Sequence, residues 1–358
     1  MNTLRKATRQ QLFLPIVCVI LVLAVNMVYD AARGAGIFNF FHIYIQNDLL
    51  QGRLINILNR GSEVAILAIG MTLVVSASSG TDISVGSVMS LCASFCCMLI
   101  AGFGVSSVES ADQFAMPIMV GLIGALAMGV LCGVFNGSLV AYLGIQPMVA
   151  TLILWSAARA IGLLLCNNLI VYIRVPEFGV YGGYIGCVPT PIIIAAACVL
   201  VVSLVLKKTA MGLYIQSVGI NKKASRIAGL NSRKIIFICY LLCGLCAGIA
   251  GIVASSRITS ADSNNIGLNM ELDAILAVAL GGNSLGGGKF NLAGSIIGAY
   301  TIQAITTTMY NLGVSTEVTP VFKAVIVILI VAIQAPPVKA WFKKHSAAKA
   351  AKKEVARV

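Results

Sequence analysis

The chain has 358 residues, of which 59% are hydrophobic and 10% charged, and a formal net charge of +13. Soluble domains carry about 25% charged residues, and a water-soluble protein of this length could not bury so much apolar surface. The composition excludes a soluble domain, and the continuous apolar blocks exclude the short alternating segments of an outer-membrane barrel.

The predicted class is all-α: a polytopic transmembrane helical bundle of about ten membrane segments, including short or broken helices. A helix needs about 20 apolar residues to cross a bilayer. Apolar segments run over 12–29, 55–77, 84–103, 116–142, 147–166, 190–206, 235–255, 272–283, 291–311 and 319–335. Basic residues precede the first of these. Its length and the lack of an A-x-A-like cleavage site favour a retained span over a signal peptide.

Charge orients the segments. Residues 1–11 hold 3 Lys or Arg, 207–234 hold 7 and 339–358 hold 7, against the single acidic Glu354. The positive-inside rule places all three in the cytoplasm. Parity agrees, because the 207–234 loop follows the sixth span and the tail follows the tenth. The predicted organisation is a basic cytoplasmic N-terminus (1–11), a transmembrane domain (12–335) with a cytoplasmic loop at 207–234, and a basic cytoplasmic tail (336–358). This clustering explains the net charge without nucleic acid. The connections assigned to the far side hold Asp30, Asp48, Glu109, Asp112, Glu177, Asp262, Glu271 and Glu317 against Arg33, Arg53, Arg174 and Arg257.

Along the chain, Glu63 is expected to pair with Arg60 at i,i+3 on one helix face. In "SSGTDISVGS" (78–87), Asp82 lies between two apolar runs with no basic neighbour. An ionisable residue at membrane depth is a pathway or gating candidate, together with Ser84. The bland alternative is that Thr81, Asp82 or Ser84 caps the helix that starts here. In "FNGSLVAYLGIQPMVATLILWSAARAIG" (135–162), Asn136 suits either an interhelical hydrogen bond or the pathway. Gln146-Pro147 marks a break, and Arg159 is expected to snorkel outward.

Most of the eleven cysteines sit inside apolar spans with no metal-ligand spacing. Cys239, Cys243 and Cys246 share one helical face, as small residues do in close helix packing. A Cys166–Cys187 disulfide is conceivable on position alone.

"SVGINKKASRIAGLNSRK" (217–234) is an island with five positive charges and no negative ones. Gly219-Ile220-Asn221 can break the chain, Lys222–Ile227 can form a short helix, and Gly229 can stop it. A helix docking on a soluble partner and a loop facing lipid headgroups both fit. The apolar segment 272–283 is too short to cross alone and ends in "GGNSLGGGKFNLAG". Gly-interrupted segments mark transporter pathways, which makes Asn283 a candidate. The stretch is no phosphate loop: Asn283 stands where the first glycine of a Walker A belongs, and Phe290 where its hydroxyl does. The internal likeness between 67–91 and 276–300 (span, Gly-rich break, span) is too weak to establish a repeat. No catalytic set emerges: His42 and His345 are peripheral, and no residues group as nucleophile, base or metal ligands.

The cationic island resembles the cytoplasmic coupling-loop motif of permeases from sugar-type ATP-binding-cassette (ABC) importers, with Gly219, Asn221, Ala224, Arg226, Ala228 and Gly229 at the matching positions and Lys222 within it. "GTDISVGS" is similar to the family stretch G-G-I-D-L-S-V-G-S, departing at Thr81 and Ile83. "FNGSLVAYLGIQPMVATL" and "ALGGNSLGGGKFNLAGSIIGA" also resemble family segments, so the resemblance spans about residues 55–335. It implies a permease subunit that conducts a pentose or hexose across the bacterial cytoplasmic membrane. The implied partners are a cytoplasmic ABC ATPase, an extracytoplasmic sugar-binding protein, a second permease copy (homo- or heterodimer) and the bilayer. It implies no cofactor in this chain; ATP and Mg would be bound by the ATPase. Branched-chain amino-acid ABC permeases match less well, and an ion-coupled secondary transporter is the alternative from residue physics.

Overall fold

The computed structural model describes residues 13–32, 34, 39–46, 48–103 and 115–334. Glu109, Asp112, Arg33 and both basic terminal segments used in the orientation argument lie outside the described residues. Ten helices coincide with the ten predicted spans: α1 (Phe13–Ala32), α2 (Arg53–Ser78), α3 (Val85–Ala101), α4 (Ile118–Ala141), α5 (Pro147–Leu165), α7 (Thr190–Lys208), α10 (Ser232–Ile258), α11 (Met270–Leu280), α12 (Leu292–Asn311) and α13 (Thr319–Gln334). Between them lie short helices α6 (Pro176–Gly179), α8 (Met211–Ile220) and α9 (Lys222–Ile227). By length and composition, α2, α4, α5, α7 and α10 can each cross a membrane. The other elements are a 3-10 turn at Asn39–Phe41 and three two-stranded antiparallel pairs: Tyr44–Gln46 with Leu49–Gln51, Val171–Tyr172 with Ser260–Ala261, and Tyr184–Ile185 with Val188–Pro189.

The chain forms two compact units, Met1–Ala304 and Ile305–Val358. In the second, Thr319 Oγ1 ties the first turn of α13 to Ser315 O at 2.8 Å. The first contains the bundle core. Its centre is α2, buried without interruption from Gly61 to Ser78. A helix with small and apolar residues all round belongs inside. Against it runs α10, which also packs on α3 and α4. Glycines set how close α10 and α4 approach. A side chain on Gly244 would strike the carbonyl of Gly129, and one on Gly133 would lie 2.6 Å from Tyr240 O. Each helix carries its glycines four residues apart (Gly129 and Gly133; Gly244 and Gly248), the spacing that lets backbones touch in a bilayer. Cys239, Cys243 and Cys246 are buried on α10, and a side chain on Gly70 of α2 would meet Cys243 Cα at 2.8 Å. Cys166 is buried, Cys187 is exposed, and both are free thiols.

The connections gather at two opposite ends of α2. At its start, Arg257 of α10 donates to Asn59 O (3.0 Å) and pairs with Glu63 (3.1 Å). Here too, Gly182 N–H donates to Ser256 Oγ (2.6 Å) and Ile173 N–H to Thr259 O (2.8 Å). This corrects the expected partner of Glu63. The i,i+3 spacing to Arg60 exists, but the ion pair forms across helices with Arg257, whose side chain reaches the buried carboxylate. Asp30 likewise joins Arg53 at 2.6 Å, tying α1 to the start of α2.

At the far end of α2, Ser79 Oγ donates to Gly219 O (3.3 Å) and Gly288 N–H to Ser76 O (3.1 Å). The two Gly-rich breaks, after α2 and after α11, therefore touch each other and the cationic island. In this unit, the end holding the island carries Lys207, Lys208, Lys222, Lys223, Arg226, Arg233, Lys234 and Lys289, and no exposed carboxylate among the described residues.

Candidate functional site

The cationic island folds as two short helices at a sharp corner. α8 continues through Gly219 and Ile220, so the break is narrower than the predicted Gly-Ile-Asn: Asn221 alone is extended (φ −156°, ψ 101°). Its side-chain oxygen accepts from Lys223 N–H and Ala224 N–H, both at 3.0 Å, and so caps α9. Gly229, at φ 86°, takes the left-handed conformation that ends the turn. Gly219 has a different role. A side chain there would collide with Ser76 O and lie 2.6 Å from Gly288 N, so the absence of a Cβ lets α8 sit on the end of α2. Lys222 Nζ donates to Ser78 O at 3.2 Å. Partial burial of this ammonium lowers its pKa from the usual 10.5.

The corner is thus anchored on one side and bare on the other. Ser225 is buried, whereas Ala224, Arg226 and Ala228 are exposed and Ile227 is 89% exposed. Beside it, Arg226, Gly229, Leu230, Asn231 and Arg233 line a groove of about 380 Å³. An isoleucine held open next to a cationic groove suits a partner with an apolar socket and an acidic rim.

Three of the four pathway candidates come together. Asp82, Ser84 and Asn136 are all buried. Asp82 Oδ1 accepts from Ser84 N–H (2.9 Å) and Ser84 Oγ (2.6 Å), and Asn136 Nδ2 of α4 donates to Ser84 Oγ (2.9 Å). Ser84 occupies the N-cap position of α3 but its side chain accepts no capping bond there; Asp82 closes the turn before the helix instead. The triad borders a cavity of about 10 Å³, also lined by Cys132, Gly133 and Gly244. That is room for about one water, far below a sugar ring. Asn136 also borders the cavity, and its Oδ1 is buried without a hydrogen-bond donor.

Asn283 lies elsewhere and is spent on structure. Its Oδ1 accepts from Asn291 N–H (2.6 Å), and its Nδ2 donates to Ser295 Oγ (2.7 Å). Thr72 Oγ1 of α2 donates to the same Ser295 (2.7 Å). The amide clamps the Gly-rich loop shut and fastens it to α2.

Arg159 does not snorkel. Its Nη1 donates to the carbonyls of Ser263 (2.8 Å) and Asn264 (3.0 Å), holding the segment before α11 against α5. One turn earlier on the same face, Trp155 Nε1 donates to Glu271 Oε1 at 3.1 Å. Sequence reasoning did not single out Trp155 or Glu271. The signal was an acidic residue at the start of a short apolar segment, which reads equally well as an ordinary outer-loop charge.

Residues 53–333 match the family described as "Branched-chain amino acid transport system / permease component". The chain belongs to this permease family. The permease is 45% identical over 298 residues to the galactofuranose transporter permease protein YtfT of Escherichia coli K12, covering 83% of each chain. It is 39% identical to the fructose import permease protein FruF of Bifidobacterium longum, over 86% of this chain and 85% of that one. It is 36% identical to the ribose import permease protein RbsC of E. coli K12, over 82% and 87%. No solved structure matches. The family match covers the island, the Asp82 turn and the Asn283 loop, and the relatives fit a multi-pass membrane protein whose role is transport.

Proposed function

We propose that the permease is the membrane subunit of an ABC importer that passes a monosaccharide, a pentose or a hexose, across the cytoplasmic membrane. The observation that carries this reading is the α8–α9 corner, anchored to α2 and the Gly-rich loop on its inner side and presenting Ile227 and cations outward. The relatives named for galactofuranose, fructose and ribose supply the substrate class. In this reading a cytoplasmic ATPase holds ATP and Mg and grips Gly219–Gly229. Its closure pushes the corner, which moves α2 and the 281–291 loop as one body. That motion opens the path past Asp82, Ser84 and Asn136, closed in this conformation to about one water. A coupling of this kind requires different contacts in the two states. An extracytoplasmic binding protein delivers the sugar, a second permease copy completes the path, and both termini face the cytoplasm.

The test is co-purification from native membranes followed by reconstitution. The ATPase is expected to co-purify and to be released by a Lys222→Glu/Arg226→Glu double reversal that leaves the permease inserted. Recovery of the permease alone, with uptake that needs no ATP, would sink the proposal.

A further inference from the structure

The outer surface of α5 is mostly apolar: Leu152, Ile153, Ile161 and Leu164 are all exposed, as suits contact with hydrocarbon. One edge departs from this. Trp155 is 37% exposed, and its indole is fixed by the hydrogen bond to Glu271 Oε1. Glu271 is 5% exposed, and its second oxygen, Oε2, has no donor. That oxygen rests on Gly86 at the start of α3, where any side chain would strike it. Beside the indole, Arg159 holds the segment that carries Asn264 and Asn269, both exposed. A carboxylate bonded to the ring and a guanidinium one turn along the same helix are costly against lipid and characteristic of a wetted wall.

The chemistry of this edge matches a neutral sugar ring. Such a ring has an apolar C–H face and an equatorial rim of hydroxyls. An indole face takes the first, and side-chain amides take the second. The hydrogen bond to Glu271 fixes the indole before any sugar arrives, so little ordering cost is left for the encounter. We propose that Trp155 is a sugar-contacting residue of the translocation path, with Glu271 as its positioning residue and the exposed Asn264 and Asn269, on the segment that Arg159 holds, as the hydroxyl-facing surface. The contact is a passing one, since a conducting site must also let its cargo leave. This inference rests on the importer reading and names where the cargo touches the chain.

The chain has two tryptophans, Trp155 and Trp341, so Trp341→Phe leaves Trp155 as the sole indole reporter. In proteoliposomes of this variant, aqueous iodide should quench the emission more strongly than brominated acyl chains do, and Glu271→Gln should shift the emission maximum. Stronger quenching by the brominated lipids would overturn the proposal, because the ring would then face hydrocarbon. With the ATPase and binding protein added, uptake of D-ribose, D-fructose and D-galactose is compared with ATP hydrolysis. Trp155→Ala should cut sugar moved per ATP by about tenfold, with KM little changed because the binding protein captures the sugar. Trp155→Phe should recover most of the loss. A fall in uptake and hydrolysis together, or an unchanged ratio, would show that Trp155 does not contact the cargo. If the wild type imports none of the three sugars with ATP, the importer reading fails instead.

Discussion

Replacing Gly219 with alanine tests whether the cationic corner is rigidly joined to the bundle. The added methyl would overlap Ser76 O and lie 2.6 Å from Gly288 N, both backbone atoms that cannot rotate aside. Relief requires α8 to lift away from α2 and the 281–291 loop. The lift weakens two hydrogen bonds, Lys222 Nζ to Ser78 O at 3.2 Å and Ser79 Oγ to Gly219 O at 3.3 Å. Each is worth about 1 kcal/mol. Overpacking adds roughly 1–3 kcal/mol, and the better helix propensity of alanine returns about 1 kcal/mol. The net cost is roughly 2–4 kcal/mol, which raises the undocked population of the corner roughly 30- to 700-fold. Limited trypsin digestion in detergent reads this directly, as faster cleavage after Lys222 and Lys223. ATP-driven uptake should fall in parallel while insertion is normal. Gly229→Ala is the control: it has open space around it and costs only left-handed strain, about 1–2 kcal/mol and local to the turn. Equal cleavage rates for Gly219→Ala and wild type would refute the rigid junction.

Asp82 should tolerate asparagine and not leucine. Asparagine keeps the oxygen that accepts from Ser84 N–H and Oγ, whereas leucine strands both buried donors at roughly 2–4 kcal/mol; thermal unfolding in detergent separates the two, and equal damage would mean that the charge itself is needed. Arg257→Ala should cost about 3–5 kcal/mol by leaving Glu63 buried without its cation. Adding Glu63→Gln should recover part of that loss, and a double variant as unstable as the single one would contradict the pairing.

Much of this protein was legible in its sequence because hydrophobic blocks, glycine breaks and clustered cations are local properties. All ten apolar segments became helices, and the Asn221 cap and Gly229 stop follow from the chemistry of two side chains. The partners across the fold were another matter. Glu63 had a cation three residues away in sequence, yet its partner is Arg257, because helix packing decides which guanidinium can reach a buried carboxylate. Asn283 looked like a pathway residue from its place in a Gly-rich break, whereas its amide is consumed by Asn291 and Ser295. Gly219 reads as a helix breaker until the end of α2 is seen against it. Trp155 and Glu271 lie 116 residues apart, and no local pattern announces a bond of that separation. The sequence by itself determined the elements, their order and the charge asymmetry between the two ends, since each depends on residues within a few positions of one another. Only the tertiary structure decided which polar groups in this apolar bundle satisfy each other and which remain for a partner or a cargo, since that depends on distances the chain closes only when the helices pack.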